Sequence, residues 1–205
     1  MADRFHAGIA KLVMQLGEQD PATSLDDVSD RDLHVEAAEA IGAGVGWSSR
    51  DLPYPGFEAP AGNVRAKPPR CSVVLAPRHV RGPDDAPGLF SESMCAPEEA
   101  CWVEVVLARE WRHLERCPRY APAFTDRAMR LVAQLATDER IVHARLAWLV
   151  LASSEERART DLATWERLAL SEGLPIGAPV IRAQPIPDVQ GNAACLTAIV
   201  PVQRL

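Results

Sequence analysis

Two almost uninterrupted apolar runs, residues 100–108 and 145–152, constrain this chain more than any other feature of its 205 residues. Such runs read as short strands buried on both faces. The stretch between them starts a helix near Pro122, a favoured first helical position, and sets Phe124, Ala128, Leu131, Val132 and Leu135 on one side. Strand, covering helix and strand in that order form a crossover, which predicts two parallel neighbours at the centre of a sheet. Glu104 stands in the middle of the first run, where a carboxylate is expensive to bury without a partner.

The remaining pattern builds outward from that unit. Asp3 is placed to cap a first helix with Phe5, Ile9, Leu12, Val13 and Leu16 on one stripe and Gly17 as its stop. Asp30 is placed to cap a second, through about Ala43, with Leu33, Ala37 and Ile41 inward. Residues 44–70 mix Trp47, Tyr54 and Phe57 with Pro53, Pro55 and Pro60, which predicts an irregular arm packed on the domain or on a second subunit. Residues 71–76 read as a strand that pairs with the Glu104 strand as an irregular hairpin across a Gly/Pro loop. Ser153-x-x-Glu156 has the form of a capping box, opening a helix with Ala158, Leu162, Trp165 and Ala169 inward and Gly173 at its end. Two further strands follow, at 180–186 and 194–202. The expectation is one α/β domain over 1–205: N-terminal helices (1–43), the arm (44–70), and a sheet core with crossover helices (71–205).

Composition excludes several classes. A chain that is 47% hydrophobic and 24% charged is large and apolar enough to bury a core. Its apolar runs fall far short of the roughly 20 residues of a membrane span, and the charged N-terminal residues do not resemble a secretory signal, so a cytoplasmic location away from membranes is expected. Five cysteines without a C-x-x-C pair argue against a disulfide framework or zinc ribbon. His113 and Cys117, four apart, would share a helix face as two metal ligands, but no second pair completes a tetrahedral site. Nucleophile-elbow, Walker and dinucleotide-binding motifs are absent. The net charge of −6 is uneven: residues 1–100 carry nine basic and 16 acidic side chains, residues 101–205 thirteen and twelve. Arg109, Arg112, Arg116, Arg119, Arg127 and Arg130, interleaved with Trp111, Tyr120 and Phe124, form a strip suited either to a phosphate backbone with bases stacked on the rings or to neutralising the acidic half within a protomer or across a dimer.

With Pro83-Asp84 upstream of Glu104-Val105-Val106, the order of elements over roughly 30–153 resembles the PD-(D/E)xK nuclease superfamily. That resemblance implies a restriction-endonuclease-like α/β sandwich around a mixed central sheet with flanking helices. It implies Glu104 and Asp84 as catalytic residues and Asp84, Glu104 and an acidic residue of the second helix, Glu39 or alternatively Glu36, as ligands of Mg²⁺, which would activate water for attack on phosphorus. Arg109, Arg112, Arg116 and Arg130 are the implied nucleic-acid contacts. The family's lysine position holds Val106, which neither orients water nor stabilises an anion, so a working site would need a substitute cation such as Arg109 or Arg130. The expected function is a degenerate nuclease-like domain, weakly active or inactive, with a nucleic-acid or protein-binding role. A non-enzymatic homodimeric accessory protein is the other reading. Glu104 itself has two readings: a metal ligand, or a carboxylate satisfied inside the fold by backbone amides or an arginine.

Overall fold

A six-stranded mixed sheet organises the computed structural model, which describes residues 1–19, 23–25, 27–56, 67–77 and 95–205. Two helices, α1 (Ala2–Gln19) and α2 (Asp30–Gly42), precede an antiparallel meander of β1 (Trp47–Pro53), β2 (Arg70–Ala76) and β3 (Cys101–Arg109). A two-stranded hairpin follows, β4 (Trp111–Arg112) and β5 (Glu115–Arg116). The chain then crosses over through α3 (Tyr120–Pro122), a π-helical segment (Ala123–Ala128) and α4 (Met129–Thr137) to reach β6 (His143–Ala152). Helix α5 (Glu155–Ser171), β7 (Val180–Pro185) and β8 (Ala194–Val202) complete the order β1-β2-β3-β6-β8-β7.

The expected parallel pair is present. β3 and β6 align over nine positions, Cys101 opposite His143 through Arg109 opposite Leu151, and occupy the sheet's centre. Alternation assigns their side chains to two layers. Val103, Val105, Ala147, Leu149 and Leu151 meet Phe5, Ile9, Leu33 and Ile41 of α1 and α2. Trp102, Val106, Leu146, Trp148 and Val150 meet the crossover helix and α5. There Phe124 stacks on Trp148 at 4.6 Å between centroids, and Trp165 meets Trp148 edge-on at 5.2 Å.

Several boundaries differ from the sequence pattern for local reasons. Strand β1 lies inside the stretch read as an irregular arm. It is an edge strand, and Pro53 sits at its end, where a missing N–H is tolerated. Ser29 caps α2, its hydroxyl accepting the Asp32 N–H at 3.1 Å, which leaves Asp30 free for an ion pair. Asp3 lies in the first turn of α1 and pairs with Arg182, and the helix runs on past Gly17 to Gln19. His113 and Cys117 share no helix, because residues 111–117 form the β4–β5 hairpin, with left-handed φ of 53° and 61° at His113 and Leu114. The cap of α5 is Ser154, not Ser153: Ser154 accepts the Arg157 N–H, while the Ser153 amide and hydroxyl both donate to buried Glu110. Gly173 does end that helix, at φ 75°.

Cap identity is directly testable. Ser154→Ala should cost about 1 kcal/mol in urea unfolding. Glu156→Ala should cost only a few tenths, because Glu156 closes no capping box; equal losses would return the cap to Ser153.

Candidate functional site

The site follows from where β2 leaves β3. Their ladder spans Leu75 opposite Cys101 to Val73 opposite Val103 and stops there, although β3 stays paired with β6 to Arg109. One position further, the Ser72 hydroxyl takes the place of backbone: it accepts the Val105 N–H at 3.1 Å and donates to Glu104 Oε2 at 2.5 Å. Tyr54, just past β1 and anchored by its N–H to the Pro69 carbonyl, donates its hydroxyl to Glu104 Oε1 at 2.6 Å and stacks on Trp102. Each carboxylate oxygen of Glu104 thus holds one hydroxyl, and the residue is 3% exposed. Burial raises the Glu104 pKa, opposed by the two hydroxyls and by the field of Arg127. Burial also drives the Tyr54 hydroxyl far above its ordinary range, so it remains a donor.

An open cleft lies on the other side of Ser72. One lobe, about 800 Å³, runs between α2 and β1, lined by Arg31, His34, Ser48, Arg50, Ser72 and Arg127 among others. A second, about 360 Å³, continues between α2 and the crossover helix to Arg109, Arg119 and Arg130, and the two lobes share Asp30, His34 and Arg127. His34 has its pKa lowered by burial and by Arg127, against an opposing pull from Asp51. Asp51 adopts a left-handed φ of 56° within β1, beside the cleft.

The sequence candidates are distributed unevenly over this site. Glu104 lies behind Ser72, outside the cleft lining, and Val106, at the position where the resembled family has lysine, is wholly buried in the core. Asp84 lies outside the described residues. Glu39 sits on the exposed side of α2 and pairs with Arg50 at 3.4 Å. Arg109 is 4% exposed and tied to Asp30 at 3.3 Å and to the Val28 carbonyl at 2.7 Å. Arg112 pairs with the same Asp30 at 3.8 Å, and Arg116 pairs with Glu110 while lying over Trp111. Arg130 faces the cleft with Arg127 and Arg119. Tyr120 and Phe124, read as stacking platforms, are largely buried and line a separate pocket of about 200 Å³ against α5, outside the arginine cleft. Tyr54, Ser72 and His34 carried no pattern of their own; Tyr54's place among prolines was the one signal, since an aromatic there needs something to pack on.

Among the described residues no group of three or more His, Cys, Asp or Glu side chains comes together to hold a metal ion. Among the described residues the hydrogen-bond partners of the Glu104 carboxylate are hydroxyl donors, which satisfy it but are not anionic ligands for Mg²⁺. No helix among those residues is long and apolar enough to cross a membrane. No family model, curated protein or solved structure matches this chain.

Deleting either hydroxyl leaves a buried carboxylate oxygen unsatisfied. Tyr54→Phe or Ser72→Ala should therefore cost about 1–3 kcal/mol. Tyr54→Phe should cost less in a Glu104→Leu background, as measured by a double-mutant cycle in urea. The pH sign is also fixed. With its folded pKa above the ordinary 4.5, Glu104 contributes stability at low pH that is lost as pH rises through the folded value. The parent should gain on Glu104→Gln as pH falls from 7 towards 4.5, and a gap that widens the other way would contradict the burial argument.

Proposed function

We propose that this chain is a PD-(D/E)xK-like domain that binds nucleic acid without cleaving it. The frame that supports the reading is α2, the β1-β2-β3 meander, the crossover helix and β6 parallel to β3, with Glu104 on the third strand. The observation that carries it is the contrast across Ser72: an open arginine-lined cleft on one side, and on the other a glutamate closed off by two hydroxyls. In a metal-dependent nuclease the carboxylate faces the cleft and an ammonium two residues on faces the same way. Here the carboxylate is sealed and the residue two positions on is an aliphatic core side chain. What remains suited to phosphate is the set of guanidinium groups, which clamp anions but shuttle protons poorly.

The test is direct. Labelled single- and double-stranded DNA and RNA should bind the full chain at low salt, with affinity falling steeply as salt rises. Incubation with Mg²⁺ or Mn²⁺ should leave the strands intact. Cleavage that depends on either metal and disappears in Glu104→Gln would replace this reading with an active nuclease. An oligomer that binds no nucleic acid at low salt would favour the accessory-protein reading.

A further inference from the structure

We infer that the two-lobed cleft holds the sugar-phosphate backbone of one unpaired nucleic-acid strand, clamped by Arg119, Arg127 and Arg130 on the crossover side and Arg31 on α2, without readout of the bases. This rests on the nuclease-like reading above and adds where the strand lies and what is recognised.

The first support is which arginines are free. Arg109, Arg112, Arg116 and Arg157 are committed to Asp30, Glu110 and Asp161. Arg31, Arg119, Arg127 and Arg130 line the cleft and form no ion pair among the described residues. All four are exposed. A guanidinium without a carboxylate partner retains its full capacity for a bidentate phosphate contact. The carboxylates in the same walls do not cancel them: Asp30 already serves Arg109 and Arg112, which leaves Asp51 in the first lobe and Asp126 in the second.

The second support is the shape and chemistry of the walls. The lobes join at His34 and Arg127, so the groups form a track and not a single point site. Ser48 and Ser49 add hydroxyls of the kind that contact phosphate oxygens in protein–DNA complexes. Lobes of about 800 and 360 Å³ with cations on both walls match a short length of one strand, whereas a duplex would have to sit across their mouths. The imidazole of His34 is the only aromatic ring in either lining, so the cleft offers no row of rings on which successive bases could stack. Recognition is therefore of backbone charge and spacing. An acidic peptide would share the charge, but the apolar anchors that would add to its binding are confined to the smaller lobe, at Leu107, Pro122 and Ala123, and the larger lobe offers only Val35.

Fluorescence anisotropy on the full chain tests this with labelled oligothymidylate, oligoadenylate and a duplex of equal length. The parent should bind both single strands within about threefold of each other and the duplex more weakly. Arg127→Glu with Arg130→Glu should weaken strand binding at least about tenfold and flatten its salt dependence, whereas Arg167→Glu on α5 should not. Arg127→Lys, which keeps the charge, should retain most of the binding, and matching melting curves should establish that every variant is folded. If the parent binds and the double variant binds equally well, the cleft assignment falls while the nuclease-like reading stands. A parent that binds no strand removes the reading beneath it. Preference for one base beyond about tenfold overturns backbone-only recognition, and polyglutamate that competes as well as oligothymidylate overturns the choice of nucleic acid over an acidic peptide.

Discussion

The parallel ladder between β3 and β6 is the constraint on which the rest of the molecule depends. Parallel neighbours require a connection that crosses one face of the sheet, and the helix that makes it must bring an apolar side with it. The crossover helix brings Phe124, Val132 and Leu135, and α5 adds Trp165. The opposite face is left to α1 and α2. Once both faces are covered, the loops beyond Arg109 and Ala152 gather at one end of the sheet. Glu110 binds them there, its N–H to the Leu151 carbonyl and its carboxylate to Ser153, Arg116 and Arg157. Asn192 holds the neighbouring hairpin through two hydrogen bonds to the Trp111 backbone, and Gly191 packs so close to Trp111 that a Cβ would lie 2.8 Å from its ring.

The same ladder explains why a carboxylate survives on the central strand. With β6 bonded along its whole length, β3 has its other edge paired only as far as Val103. Beyond that point its amides need partners from elsewhere, and Ser72 meets the first of them while also satisfying Glu104. A buried carboxylate with both oxygens hydrogen-bonded is tolerable, and one with an arginine in its field is more so. Arg127 supplies that field from the cleft without forming an ion pair with Glu104. The field of Arg127 thus reaches Glu104 from the cleft, though Glu104 is not part of the cleft wall.

The long-range architecture was legible because periodicity carries it. The apolar runs identified β3 and β6, the 3.6-residue pattern identified the helices between and around them, and the crossover rule made the two strands parallel. Local choices were less legible, since neighbouring residues compete for the same role. Ser153 and Ser154 are both able to cap α5, and the position of Glu110 just past β3 decides which is diverted. Ser29 and Asp30 pose the same ambiguity at α2, settled by Arg109 drawing Asp30 away. The prolines around Tyr54 hid β1, because an edge strand tolerates them where an interior strand does not. The site was half legible. Glu104 stood out by charge in an apolar run, but Ser72 and Tyr54 are 32 and 50 residues away and meet it only through the sheet's register. The arginine strip was visible as composition, yet its division into paired and unpaired members depends on Asp30 and Glu110, which belong to different elements.

That division also resolves an apparent conflict between net charge and an anionic ligand. A total of −6 disfavours attraction over the whole surface, but the potential that the proposed strand would meet is set within about 8–10 Å at ordinary salt. Inside that radius what counts is how many cations remain uncommitted after the fold has used its own. The fold draws on Arg109, Arg112, Arg116 and Arg157 to neutralise Asp30, Glu110 and Asp161, carboxylates at the rim of the sheet and the base of α5. Four guanidinium groups without an ion pair among the described residues, those of Arg31, Arg119, Arg127 and Arg130, lie along one concave track, because α2 and the crossover helix flank the same gap where β2 departs from β3.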